Sequence, residues 1–279
     1  MNSKTRFKHN LNKRSLLVLP YLLIAILLVF IPIILIIINA FVHTGDNGID
    51  PTILVRDTKT WDKIGRSLLI GVLSAIISLF IAFPYSYFIA RTKNKVVQIY
   101  ALSLILSPMV IFTIAKIYAI KGFFLTIAPT ENDLNAIWFM VLGLTYLNLP
   151  YMIMPLYSVI KDMPNNILEA SSDLGYNHTK TFFKVILPYC SKAILSGLGL
   201  IFLSSATTFV ISEKLLPDGS QLQTIGELIN KYTNPANKAE IAIGTTLVLV
   251  VSAVFIGSYA IINFVPKLII KLKRGGNYE

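Results

Sequence analysis

Apolar residues in this 279-residue chain fall in unbroken runs rather than in the one-sided stripes of a water-facing helix. The first is LLVLPYLLIAILLVFIPIILIII, from Leu16 to Ile38. About 20 such residues let a helix cross a hydrocarbon core of about 30 Å. Windows of that length place six spans at 16–40, 64–90, 97–120, 136–160, 193–213 and 241–266. The expected fold class is therefore an all-α membrane protein with six transmembrane helices. The first run far exceeds the roughly 7–15 residues of a signal-peptide core, and no A-x-A cleavage site follows it, so it reads as an uncleaved span. The expected organisation is a basic N-terminus over 1–15, a first helix over 16–40, and a core of five further helices over 64–270 that includes a loop at 161–192.

Two features of the spans bear on their packing. In the second, Ser67, Gly71 and Ala75 run beside Ser74, Ser78 and Ala82, and small residues four apart let a second helix approach closely in lipid. Prolines interrupt several spans: Pro20 and Pro32, Pro84, Pro108, and Pro150 with Pro155. Each removes a backbone hydrogen bond and tends to kink its helix.

Composition agrees: 54% of residues are apolar and 14% charged, against roughly 25% charged in soluble domains. The charges also orient the chain. Segments on the side of the termini carry sixteen basic and four acidic residues; the opposite segments carry nine basic and ten acidic. Lysine and arginine collect on cytoplasmic flanks, which puts both termini and the 161–192 loop in the cytoplasm of a multi-pass protein of the bacterial plasma membrane. A basic inner face meets anionic membrane lipid, so the net charge of +11 needs no nucleic acid, and no basic module with interleaved aromatics is present.

Several chemistries lack their residues. The single cysteine, Cys190, excludes an intrachain disulfide and a CxxC site, and His9, His43 and His178 are scattered with no HExxH, so no metal or other cofactor is expected. No GxxxxGK[ST] occurs, and the Gly-Lys pair is absent altogether, which removes the phosphate cradle of an ATPase. No span has a charge at its centre, as a proton relay or voltage sensor would need. Lys116 sits near the outer end of the third span, where its stem can snorkel. A nucleophile, base and orienting partner cannot be assembled, so the chain is not expected to be an enzyme.

The loop KDMPNNILEASSDLGYNHTKTFFKVILPYC is the most patterned polar stretch. It should form two short helices. Pro164 suits a first helical turn, Asn166 with Glu169 has capping-box spacing, and Ile167, Leu168 and Leu174 form an apolar side. Gly175 supplies the left-handed position that ends a helix, and Asn177 can cap the next, which carries Phe182, Phe183 and Val185. A short amphipathic helix on that face suits docking in a partner's groove, or lying on lipid.

Glu169-Ala170-Ser171, three residues, Gly175, nine residues, then Val185-x-Leu187-Pro188 resembles the EAA loop of bacterial ABC importer permeases, whose pattern is EAA, three residues, G, nine residues, I-x-L-P. Ser171 stands for the second alanine and Val185 for the isoleucine. GLTYLNLPYMIMPLYSVI and LILSPMVIFTIAKIYAIKGFF are similar to spermidine/putrescine importer permeases of the PotB type. The resemblance implies a type I ABC importer permease (MetI-like) architecture. It also implies Glu169, Ala170, Ser171, Leu174 and Gly175 as the surface coupling to the ATPase. The implied partners are a second permease of the PotC type, two copies of an ABC ATPase, and an extracellular or periplasmic polyamine-binding protein. Relatives of this build carry iron, sulfate, phosphonates or sugars, and a stand-alone secondary transporter is the more distant alternative.

The end of the fifth span, IFLSSATTFVISEKLLPDG, offers a candidate pathway. At 3.6 residues per turn, Ser205, Phe209, Ser212 and Glu213 fall close to one face. A ring and a carboxylate four apart could pass an ammonium group by cation–π and charge-assisted contacts.

Overall fold

The structure, a computed structural model, describes residues 18–41, 50–128, 130, 134–216, 223–232 and 237–275. The basic N-terminal segment 1–15 lies outside the described residues, as does the end of the chain from residue 276. Regular structure among the described residues is helical. In chain order the helices are α1 (Leu19–Phe41), α2 (Thr58–Arg91), α3 (Lys95–Val110), α4 (Thr113–Ile127) and α5 (Ile137–Lys161). They continue as α6 (Asn165–Asp173), α7 (His178–Tyr189), α8 (Ser191–Ala206), α9 (Val210–Leu215), α10 (Ile225–Lys231) and α11 (Lys238–Gly275). Among the described residues, four helices are long and apolar enough to cross a membrane unbroken: α1, α2, α5 and the Glu240–Ile262 part of α11. Two further candidates are bent pairs: α3 with α4 at 105°, over the expected third span, and α7 with α8 at 67°, of which α8 begins the expected fifth span and α7 lies in the 161–192 loop. The sixfold expectation holds when each pair counts as one span.

The centre is a three-helix contact of α2, α5 and α8. The small stripe of α2 is buried there, with Ser67, Gly71, Ser74, Ala75, Ser78 and Ala82 all inside. A Cβ on Gly71 would sit 3.0 Å from the Phe202 carbonyl oxygen and from the Ala206 Cβ, so this glycine sets the close approach of α8. Ser74 Oγ donates to the Val141 carbonyl at 3.4 Å, and Ser86 Oγ donates to the Ile153 carbonyl at 3.2 Å. Both bonds span 67 residues, so α2 and α5 run parallel with a constant register. α8 returns against them: Asn148 Nδ2 donates to Ser205 Oγ at 3.1 Å, and Ser204 Oγ donates to Asn148 Oδ1 at 2.9 Å. Amide and hydroxyl groups thus satisfy one another where lipid would leave them unpaired.

Apolar packing divides into two clusters. One runs along the bundle from the 161–192 loop and includes Ile153, Leu156, Ile160, Phe202 and Leu247. The other, at the far end, includes Ile70, Ile117, Met140, Leu144 and Leu215. Helix α1 buries none of its residues and packs chiefly on α11, where Thr246 Oγ1 donates to the Ala40 carbonyl at 3.4 Å.

The prolines act differently from one another. Pro84, Pro150 and Pro155 stay inside continuous helices. The stretches Ile26–Phe30 and Phe182–Ile186 widen to π geometry just before Pro32 and Pro188. In both, the carbonyl four residues before the ring, the one a proline would clash with, lies in the widened turn. At Pro108 the hydroxyl of Ser107 donates to the orphaned Leu104 carbonyl at 3.0 Å. The helix then ends within three residues, with Ile111 and Phe112 extended.

Candidate functional site

The patterned loop folds as two short helices joined at a sharp corner. Pro164, with φ −61° and ψ 140°, is the N-cap of α6. The expected capping box of Asn166 with Glu169 does not form, because both residues lie inside the helix and are exposed. The end of α6 is as expected. Gly175 adopts φ 71°; its N–H donates to the Ser172 carbonyl at 2.9 Å, and the Tyr176 N–H reaches the Ser171 carbonyl at 3.1 Å. These two bonds are the paired closure of a Schellman turn, which needs a left-handed residue at that position. Asn177 then caps α7, its side-chain oxygen accepting from the Lys180 N–H at 2.9 Å.

Three anchors fix this corner to the helix bundle. Arg91, at the end of α2, donates to Asn165 Oδ1 at 2.8 Å and to the Met163 carbonyl at 3.3 Å. Phe182 meets Phe83 edge-on, with ring centroids 5.1 Å apart. Ile167 and Leu168 pack against the loop-end core cluster. Between the two short helices, buried Ser171 donates to the Leu168 carbonyl at 2.7 Å and shares a 3.1 Å hydroxyl contact with Thr181. The serine that replaces alanine in the motif therefore joins α6 to α7.

Of the five expected coupling residues, the corner displays Glu169, Ala170, Leu174 and Gly175 outward, while Ser171 supports them from beneath. The expected apolar set of Ile167, Leu168 and Leu174 divides: the first two pack on the core and Leu174 is exposed. Helix α6 stops at Asp173, and the Leu174 side chain is 72% exposed. An apolar residue so displayed on a rigid, hydrogen-bonded corner can fill a pocket on a partner. Arg91 and Phe83 escaped the sequence reading, because their partners lie far along the chain.

The far end is arranged otherwise than the sequence suggests. Helix α8 ends at Ala206, and Phe209, with φ −120° and ψ −36°, is the N-cap of the separate helix α9. One helical projection cannot therefore run from Ser205 to Glu213. The break is held by the return of the chain at α10. Thr224 Oγ1 donates to the Thr208 carbonyl at 2.8 Å, and a Cβ on Gly226 would come within 2.7 Å of the Thr207 and Thr208 oxygens. Ser205 is buried against Asn148, and Ser212 is buried between two partners. It donates to Glu227 Oε2 at 2.8 Å and accepts from the Thr224 N–H at 3.0 Å. Phe209 and Glu213 are open, 39% exposed for the ring, and Glu213 pairs with Lys214 at 2.5 Å. Beside them lies a cavity of about 320 Å³ lined by Lys63, Glu213, Gln223, Glu227, Asn230 and Lys231. Glu227 and Lys63, which carry half of its charge, gave no signal in the sequence.

Residues 82–269 match the family described as binding-protein-dependent transport system inner membrane component. Over 271 residues the chain is 27% identical to the spermidine/putrescine transport system permease protein PotB homolog of Mycoplasma genitalium, covering 93% of this chain and 95% of that protein. Over 228 residues it is 27% identical to the spermidine/putrescine transport system permease protein PotB of Escherichia coli K12, covering 73% and 80%. Among solved structures it is similar to a chain of a bacterial ABC transporter involved in the import of the acidic polysaccharide alginate. The TM-score is 0.64 at 14% identity, covering 100% of this chain and 99% of that one. At that identity the likeness is one of fold.

Proposed function

Because the chain belongs to the family of binding-protein-dependent transport system inner membrane components, we propose that it is the PotB-type permease subunit of an ATP-driven importer for the polyamines spermidine and putrescine. It is a multi-pass membrane protein and a non-catalytic component of such a system, working with an ATPase, a binding protein and a second permease. The finer assembly belongs to the proposal: a PotC-type second permease, two ATPase copies and an extracellular or periplasmic polyamine-binding protein. The excess of basic residues on the loop side supports cytoplasmic termini.

The observation that carries the coupling role is the Schellman corner at Gly175, held to the bundle by Arg91 and displaying Leu174. Closure of the ATPase pair would move this corner as a rigid body and, through α2 and α5, tilt the spans. Ser171 acts here as the internal tie, with Glu169, Ala170, Leu174 and Gly175 as the docking face. The pathway reading narrows to Phe209 and Glu213, since Ser205 and Ser212 are committed to helix packing.

The test is ATP-dependent uptake of radiolabelled spermidine and putrescine by the four-component complex in proteoliposomes. Saturable uptake that unlabelled polyamine competes and that sulfate, iron or sugars do not supports the assignment. An assembled, ATP-hydrolysing complex that imports one of those other solutes and no polyamine would overturn it.

A further inference from the structure

Helices α2 and α5 lie side by side in one register. Ser74 donates to the Val141 carbonyl and Ser86 to the Ile153 carbonyl, each bond spanning 67 residues. The same offset sets Ser78 opposite Thr145 and Ala82 opposite Leu149. At about 100° per residue, from 3.6 residues per turn, the two anchoring serines stand about 120° apart around α2. Ser78 and Ala82 fall between them, at the middle of the face turned to α5. Both hydroxyls of the Ser78–Thr145 rung are inside the protein, Ser78 being 0% and Thr145 3% exposed. Neither has a hydrogen-bond partner among the described residues, so they do not bond each other.

A hydroxyl on a buried helix can turn back to the carbonyl four residues earlier. For Thr145 that carbonyl is Val141, whose two lone pairs already take the helical N–H of Thr145 and the Ser74 hydroxyl. Thr145 could use it only by evicting Ser74, which ties the two helices together. The rung is too deeply buried for a lipid tail or a partner chain to reach. A third polar group lies one turn further along α5. Asn148 is 6% exposed; its amide gives one hydrogen to Ser205, and the other is not taken among the described residues. Buried water typically makes about three hydrogen bonds to groups that the protein leaves unsatisfied.

We propose that a single water molecule is bound at the Ser78–Thr145 rung, bridging the two hydroxyls and joining the Asn148 network of α8 to the α2–α5 contact. The bridge serves both hydroxyls at once and leaves the Ser74 bond in place. It makes the polar seam from Ser74 to Ser86 continuous through the centre of the bundle, where an unsatisfied hydroxyl has no solvent to turn to. The inference holds whichever solute the importer carries.

The test is a map of the assembled wild-type complex in lipid nanodiscs, at a resolution that shows ordered water, together with a double-mutant cycle. The map should show a peak at hydrogen-bond distance, about 2.7–2.8 Å, from both Ser78 Oγ and Thr145 Oγ1. Hydroxyls bonded directly to each other, or each turned onto its own helix with no peak between them, would overturn the proposal. The cycle reads the thermal midpoint of the purified complex for Ser78→Ala, Thr145→Val and the two together. Each single change strands the remaining hydroxyl and should lower the midpoint. The double change removes both water ligands and should lower it no further than the larger single shift, the non-additivity of a shared partner. Shifts that simply add would show two hydroxyls acting separately and would overturn the bridge. Ser78→Thr and Thr145→Ser keep a hydroxyl on each helix and should lie above the corresponding Ala and Val variants; equal midpoints would likewise count against the bridge.

Discussion

Gly175 shows how much one dihedral can carry. Nothing lies within 4 Å of where its Cβ would be, so a larger residue meets no clash, yet its φ of 71° is one that L side chains rarely adopt. The cost is therefore in the backbone, roughly 1–2 kcal/mol, and the turn relaxes by giving up the bonds to Ser171 and Ser172. Gly175→Val should insert into the membrane normally while losing ATP-dependent uptake and co-purifying poorly with the ATPase. Gly175→Asn, which tolerates the left-handed region, should retain measurably more of both. Equal, parental uptake by both variants would remove the coupling role. At the far end, Phe209 and Glu213 share the first turn of α9, the Glu213 N–H donating to the Phe209 carbonyl at 3.0 Å. A ring attracts a desolvating cation by about 0.5–2 kcal/mol, so Phe209→Ala and Glu213→Gln should each reduce polyamine uptake several-fold with ATP hydrolysis retained. Parental rates and substrate preference in both would take this turn out of the path.

Among the elements, the informative contact is the one between the end of α2 and the coupling corner. Arg91 uses the fork of its guanidinium, with one nitrogen on the Asn165 side chain and another on the Met163 carbonyl. Lysine offers a single point charge in place of that fork. Arg91→Lys should therefore leave assembly intact but loosen the corner, so that more ATP is hydrolysed per polyamine imported. Measuring hydrolysis and uptake on the same proteoliposomes tests this, and an unchanged ratio would count against it. The same contact shows what could be read beforehand. The EAA spacing, Gly175 and the Asn177 cap are local patterns set by helix period and chirality, and they were legible. The Arg91–Asn165 bond spans 74 residues, and nothing near either residue announces the other. Ile167, Leu168 and Leu174 read as one apolar set, but Leu174 lies one residue past the end of α6 and leaves the face that the other two share.

Across the whole molecule, the α2–α5–α8 contact joins the coupling end to the far end. Asn148 is its polar centre, 6% exposed, accepting from Ser204 and donating to Ser205. Hydrogen bonds between membrane helices contribute about 0.6 kcal/mol on average and up to about 1.7. Asn148→Leu leaves both serines without their partner and should lower the thermal midpoint of the purified complex in detergent. Asn148→Ser, which keeps a hydroxyl at that position, should fall by less. Equal midpoints for the two variants would show that the network does not hold α5 to α8.

The chain by itself determined what depends on neighbours a few residues apart. Apolar runs of spanning length, the small stripe of α2, the charge asymmetry and the glycine corner are all read within a helical turn or two, because hydrophobic transfer and backbone chirality act locally. The tertiary structure alone decided where spans three and five break and which freed carbonyls are covered. It also decided that Ser205 and Ser212 face partners rather than a path, and that Leu174 faces outward. Each depends on what arrives from elsewhere in the chain. Thr224 and Gly226 close one break, while no described residue closes the other at Ile111–Phe112, and a helical projection of either segment alone carries no record of that difference.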